Sequence, residues 1–250
     1  MRIELDGQRP SAAELWSKAS AFGHFTAMQV RGGRTRGLAL HLDRLQAANR
    51  ELFDAELDRE RVRELMRHAL GRDEDASLRV YVFASADEPA IMVTVRPPAD
   101  VSTPQRLQSV SYQRPAPHLK HLATGQALYT RVARRNGFDD ALLTDSGGIV
   151  SESATANIGL FDESGVVWPD APQLHGITMQ LLERRLPELG VPVQRARVRL
   201  AQLADVSGAF LTSARGVAAV SRIDDVHFSI RTEQLNMLTE AYASVSWDAI

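Results

Sequence analysis

The chain has 250 residues, 44% of them apolar, which supplies enough core for one large domain or two modest ones. A net charge of −2, with 29 basic residues offset by 31 acidic ones, excludes general nucleic-acid affinity, and no apolar run reaches the length of a membrane span. The absence of cysteine excludes disulfides, thiolate metal sites and a cysteine nucleophile.

In chain order, MRIELDG reads as a short strand, and it lacks the basic-then-apolar order of a signal peptide, so a cytoplasmic location is expected. FGHFTAMQVRGGRTRGLAL alternates around a Gly-Gly turn and predicts a hairpin. Two helices follow. Leu42, Leu45, Ala48 and Leu52 recur at helical spacing in LHLDRLQAANRELF, as do Val62, Leu65, Met66 and Ala69 in DRERVRELMRHALG. SLRVYVFA and AIMVTVRP read as a strand pair, and RLQSVSY as another strand before the proline-rich QRPAPH. A helix is expected in LATGQALYTRVARRNG, then three strands through FDDALLTDSGGIVSESATANIGLFDESGVVW. HGITMQLLERRLPELG reads as a loop entering a helix at Thr178, VPVQRARV as a strand, GAFLTSARGVAAVSRID as two more, and RTEQLNMLTEAYASVSW as a closing helix. Strands and helices are grouped rather than alternating, which predicts an α+β fold. The expected division is a small N-terminal α/β domain over 1–114, a linker at 115–118, and a larger domain over 119–250.

Arginine occurs 27 times and lysine twice, at Lys18 and Lys120. A guanidinium keeps its proton, whereas a lysine amine can be neutralised by its surroundings and act as a nucleophile. Lys18, in ELWSKAS, has no motif around it and reads as an exposed helix residue. Lys120, in PAPHLKHLATG, precedes VSESATAN, which holds Glu152 and Asn157. A lysine, a carboxylate and a set of backbone or hydroxyl donors are what pyridoxal phosphate requires: an amine for the Schiff base, a partner for the pyridine nitrogen and a cradle for the phosphate. The seven histidines show no HExxH or other ligand spacing, and no metal is expected.

From about Phe22 to Asp224 the sequence resembles the class IV, or fold type IV, pyridoxal phosphate enzymes, which include branched-chain and D-amino acid aminotransferases and aminodeoxychorismate lyase. The resemblance rests on HLDRL, on Lys120 about thirty residues before an E-x-x-x-x-N segment, on GIT at a helix entrance, and on LTSA at a strand end. It implies a two-domain enzyme with a barrel-like sheet in the larger domain and the cofactor between the domains. In that family's pattern Arg44 binds the cofactor phosphate, with Gly176, Ile177, Thr178, Ser213 and Ala214, while Glu152 and Asn157 complete the cofactor site. A helix N-terminus at Ile177 and Thr178 suits an anion, and Thr178 is also a candidate N-cap. Lys120 forms the Schiff base and then carries the proton. The implied reaction is ping-pong transfer of an amino group between a small amino acid and a 2-oxo acid, by a homodimer. Two alternatives are a lyase that makes 4-aminobenzoate and pyruvate, and a non-catalytic relative. The sequence departs from the family at FGHF, at HLATG after the lysine and at the short ASADEP. Phe25, Arg79 and Arg114 are the candidates for the substrate pocket.

Overall fold

The computed structural model describes residues 1–12, 14–15, 22–84, 88–99, 103–123 and 125–250. Lys18 lies outside them. The chain forms two compact units: Met1–Ala99 with Leu119–Ala123 and Ser246–Ile250, and Asp100–His118 with Thr124–Val245. This grouping differs from a single boundary at the proline-rich segment. Two short stretches remote in sequence pair with strands of the first unit, and pairing of that kind leaves no local pattern.

In the first unit, β1 (Arg2–Leu5), β2 (Gly23–Val30), β4 (Ala76–Phe83) and β5 (Ala90–Arg96) form an antiparallel sheet in the order β1-β5-β4-β2. Alternation sends Met28, Val30, Leu78, Val80, Val82 and Val93 to one core. Against that face lie α1 (Leu38–Phe53) and α2 (Arg59–Leu70), which contribute Leu42, Leu45, Val62 and Met66. Each such side chain contributes about 1.5–3 kcal/mol by leaving water. Asp58 caps α2, its carboxylate accepting from Glu60 N and Arg61 N.

The expected hairpin is only partly present. The chain turns at Gly32 and Gly33, but β2 spends its ladder on β4, and β3 (Arg34–Arg36) meets it only through an Arg31–Arg34 bridge. The partner of β3 is β15 (Trp247–Ala249), a strand the sequence pattern had merged with the end of the closing helix. Arg34 donates to Trp247 O, and the Arg36 guanidinium lies 3.9 Å from the Trp247 ring centre. Gly37, at φ 68° where glycine is at ease, starts α1 without a side-chain cap. The Leu38 N–H, which has no partner within the helix, instead donates to Asp248 Oδ2 at 2.9 Å.

The second unit is built on a nine-stranded sheet curled into a half-barrel. Its path is β11 (Val193–Ala196), β10 (Val166–Pro169), β9 (Asn157–Phe161), β12 (Gly208–Ser213), β13 (Gly216–Ile223), β6 (Gln105–Ser111), β7 (Asp140–Thr144) and β8 (Val150–Ser153). The short β14 (Val226–His227) pairs with β13. Most pairs are antiparallel; β10–β11, β13–β6 and β6–β7 are parallel. One face buries Leu107, Leu142, Ile158 and Val220. The other packs Phe161, Trp168 and Phe210 on α4 (Ile177–Glu188) and α5 (Thr232–Ala243). A third helix, α3 (Gln126–Arg135), packs on β7 through Ala133. The mixture is α+β, as the grouping of elements predicts. Among the described residues no helix is long and apolar enough to cross a membrane, and no cluster of ligating side chains could hold a metal ion.

Candidate active site

Lys120 is placed by the free edge of β2. An edge strand presents unpaired amides and carbonyls, and the lysine segment occupies them: Phe25 N donates to Lys120 O at 2.9 Å and Leu122 N to Gly23 O at 2.8 Å. This fixes Lys120 beside β2, with Nζ 4.9 Å from the centre of the Phe25 ring. Phe25, expected in the substrate pocket, therefore touches the lysine amine. It stacks on Tyr81, its cross-strand neighbour, with ring centres 5.3 Å apart. Arg79 shares that face of the sheet, half-buried, and donates to the Tyr81 hydroxyl at 3.3 Å.

Arg44 lies half-buried one turn beyond His41 on α1. His41 is a residue that sequence reasoning passed over. It shares a 2.6 Å hydrogen bond with the buried Thr26 hydroxyl, from the next residue of β2 after Phe25. Burial pushes the pKa of its imidazole down to about 3, and the positive charges of Arg44 and Lys120 push it the same way. The first unit thus brings Lys120, Arg44, His41 and Phe25 into one electrostatic neighbourhood. The signal was present in HLDRL, where a histidine falls in the apolar stripe one turn before the arginine.

Glu152 is carried in the second unit by β8 and is 4% exposed. Its Oε1 lies 3.3 Å from Arg114 Nη1, and the Leu174 N–H points at the carboxylate from 3.4 Å. Arg114, expected in the substrate pocket, is itself buried, and its Nη2 donates to Pro117 O at 3.0 Å. Its place beside Glu152 gives the carboxylate a countercharge in an interior where an isolated ion is costly.

Asn157 opens β9 opposite Thr212 of β12. Its amide nitrogen donates to Gln173 Oε1 at 3.0 Å and Leu174 O at 2.6 Å, so it holds the loop that enters α4. Gly176 ends that loop so tightly that an added Cβ would sit 2.0 Å from Asn157 Oδ1. It is also the N-cap of α4, with no side-chain cap. Thr178 is inside the first turn and does not serve as the cap; its hydroxyl donates to Ser213 O at 2.7 Å. The hydroxyl of Ser213 accepts from Arg215 N, and Ala214 lies in the turn between β12 and β13. Gly176, Ile177, Thr178, Ser213 and Ala214 are therefore neighbours, joined by the Thr178 bond.

This end of the unit fits a phosphate. An uncapped helix N-terminus offers backbone N–H groups and a partial positive charge. The Thr212 hydroxyl, on a residue 2% exposed, is buried without a hydrogen-bond partner on the sheet face that carries Asn157. Buried hydroxyls are rarely left so. The LTSA motif pointed to Ser213 and Ala214 and left Thr212 unnamed.

An α+β chain with a half-barrel sheet and these side chains defines the architecture of the type IV pyridoxal phosphate enzymes, and solved structures agree. A branched-chain aminotransferase from Thermoproteus uzoniensis with norvaline superposes with a TM-score of 0.83 at 19% identity, covering 97% of this chain and 93% of that one. A hypothetical aminotransferase from Mycobacterium tuberculosis, in a PLP-bound form, superposes at 0.79 and 21% identity, covering 91% of each chain. At such identities the likeness concerns the fold. The family profile for class IV amino-transferases matches residues 23–223, and the chain belongs to that family. A "probable branched-chain-amino-acid aminotransferase" of Rickettsia felis is 34% identical over 95 residues, 38% of this chain and 32% of that relative's length. The matched segment is thus about a third of the curated relative.

Proposed function

We propose that this protein is a pyridoxal phosphate-dependent aminotransferase moving an amino group between a small amino acid and a 2-oxo acid by a ping-pong mechanism. The observation that carries the reading is Lys120: one of two lysines, fixed by backbone bonds to the edge of β2 with its amine against Phe25. Membership of the class IV family supports it. A homodimer in the cytoplasm belongs to the same reading.

When bound, the cofactor supplies an aldehyde that condenses with amines and a ring that accepts electron density from the substrate α-carbon. The Nζ of Lys120 would be the amine that holds it and the base that moves the proton of the substrate α-carbon. Glu152 would accept a hydrogen bond from the ring N–H, with Arg114, 3.3 Å away, as its countercharge. The first amides of α4 and the Thr212 hydroxyl would hold the phosphate, a group to which the family pattern also assigns Arg44. His41 stays neutral, so the neighbourhood of Lys120 and Arg44 gains no third positive charge. Phe25 and Tyr81 offer an apolar wall to a substrate side chain, with Arg79 beside it.

The test is spectroscopic. Purified protein should take up pyridoxal phosphate and show an absorption band removed by borohydride, and Lys120→Ala should lose that band. The same reducible band in Lys120→Ala would place the covalent link elsewhere. A panel of L- and D-amino acids, including leucine, isoleucine and valine as the curated relatives' description invites, is then offered with an oxo acid. Aminodeoxychorismate is offered separately. Formation of 4-aminobenzoate and pyruvate without amino transfer would overturn the transferase reading in favour of a lyase.

A further inference from the structure

Asp140, at the start of β7, is 3% exposed and has no part in the chemistry above. Its carboxylate is surrounded by donors from two directions. Oδ1 accepts from the Thr130 hydroxyl of α3 at 2.6 Å. Oδ2 accepts from the Ser153 hydroxyl at 3.0 Å, the Thr155 backbone N–H at 3.1 Å and the Thr155 hydroxyl at 2.7 Å.

The last three belong to the turn that begins one residue after Glu152 and ends at Asn157. Other bonds close that turn on the same neighbours: Ser153 N to Ala156 O at 2.8 Å, Ala154 N to Ala141 O at 2.9 Å, and Gln126 Nε2 of α3 to Ala154 O at 2.7 Å. Side chains of successive strand residues point to opposite faces. Holding the Ser153 hydroxyl on Asp140 therefore sets the direction in which Glu152 leaves β8. A charged acceptor out of water makes each of these bonds stronger than a neutral one. The preceding Asp139 differs: it is partly exposed and pairs with Arg106.

We infer that Asp140 is a positioning residue, which orders the turn between β8 and β9 and thereby aims the Glu152 carboxylate and seats Asn157. The inference rests on the reading of Glu152 and Asn157 as parts of the cofactor site.

The test uses the exposed Thr155, whose change leaves the core intact. Thr155→Val removes one donor at nearly constant shape, and Thr155→Ser keeps it; Asp140→Asn places an amide NH₂ among donors. In the cofactor-free full chain, amide hydrogen exchange across Ser153–Asn157 should be about tenfold faster in Thr155→Val and faster still in Asp140→Asn. It should return to the wild-type rate in Thr155→Ser, with β12 and β13 unchanged. In the protein loaded with pyridoxal phosphate, Thr155→Val should shift the pH dependence of the absorption band and lower kcat, with KM for the amino acid within about twofold. Exchange and band both unchanged in Thr155→Val and Asp140→Asn would overturn the inference. A wild-type chain that takes up no pyridoxal phosphate would instead count against the underlying reading, and the exchange arm still decides the role of Asp140.

Discussion

Arg114 and Glu152 are two charges that stabilise each other inside the second unit, 3.3 Å apart and each less than a tenth exposed. A buried pair contributes little net stability, but breaking it leaves one ion without compensation, which costs about 3–5 kcal/mol. Arg114→Ala should lose that amount in urea unfolding of the cofactor-free chain, while an exposed control such as Arg131→Ala should change by less than about 0.5 kcal/mol. Equal losses in the two variants would mean that the pair is not the source. At this scale the candidates Lys120, Glu152 and Asn157 could be named from the order of their motifs alone. Burial was not legible: nothing in FDDALL tells which aspartate goes inside, and nothing around Arg114, six residues before Lys120, tells that it pairs with Glu152.

Elements carry the site through their ends and edges. The loop entering α4 is locked between Asn157 and Gly176, and Asn157 cannot retreat without giving up its bonds to Gln173 and Leu174. Gly176→Ala should therefore destabilise the protein by roughly 1–3 kcal/mol through overpacking and weaken pyridoxal phosphate binding about tenfold or more. Thermal melting and cofactor titration of the same variant measure the two effects. A wild-type affinity in Gly176→Ala would remove this loop from the phosphate site. Helices were the easiest elements to read, because apolar residues recur every three or four positions in α1 and α2. The strand β3 was read correctly, but its partner was not. Its ladder is with β15, about two hundred residues away, and the Gly-Gly turn offered a nearer and plainer pairing.

For the whole molecule, buried imidazoles set the response to acid. Burial holds His41 at about 3 and His24 at about 4, against an ordinary value near 6.5. Below pH 6.5 the unfolded chain binds protons that these two side chains refuse when folded. Stability is therefore flat in this respect above 6.5 and falls as pH drops from there toward 4 and then 3, at roughly 1.4 kcal/mol per pH unit for each histidine. Urea midpoints at pH 7, 6 and 5 should show the decline, and His41→Gln should remove about half of the histidine contribution to the slope. An unaltered slope in that variant would assign the acid response to other groups. The α+β class follows from the order of strand and helix patterns and the barrel-like sheet from the family resemblance, but the assignment of short stretches to one unit or the other depends on contacts far apart in the chain.

The first unit is discontinuous, and this bears on biosynthesis. A ribosome delivers residues 1–99 long before the stretch with Lys120 or the strand Trp247–Ala249. Until that strand arrives, the start of α1 lacks the Asp248 carboxylate that receives its leading amide, and β3 has no companion. A nascent chain halted before that strand would carry α1 with its leading amide unreceived and β3 without its ladder. The first unit is thus completed only once residues 246–250 have been made.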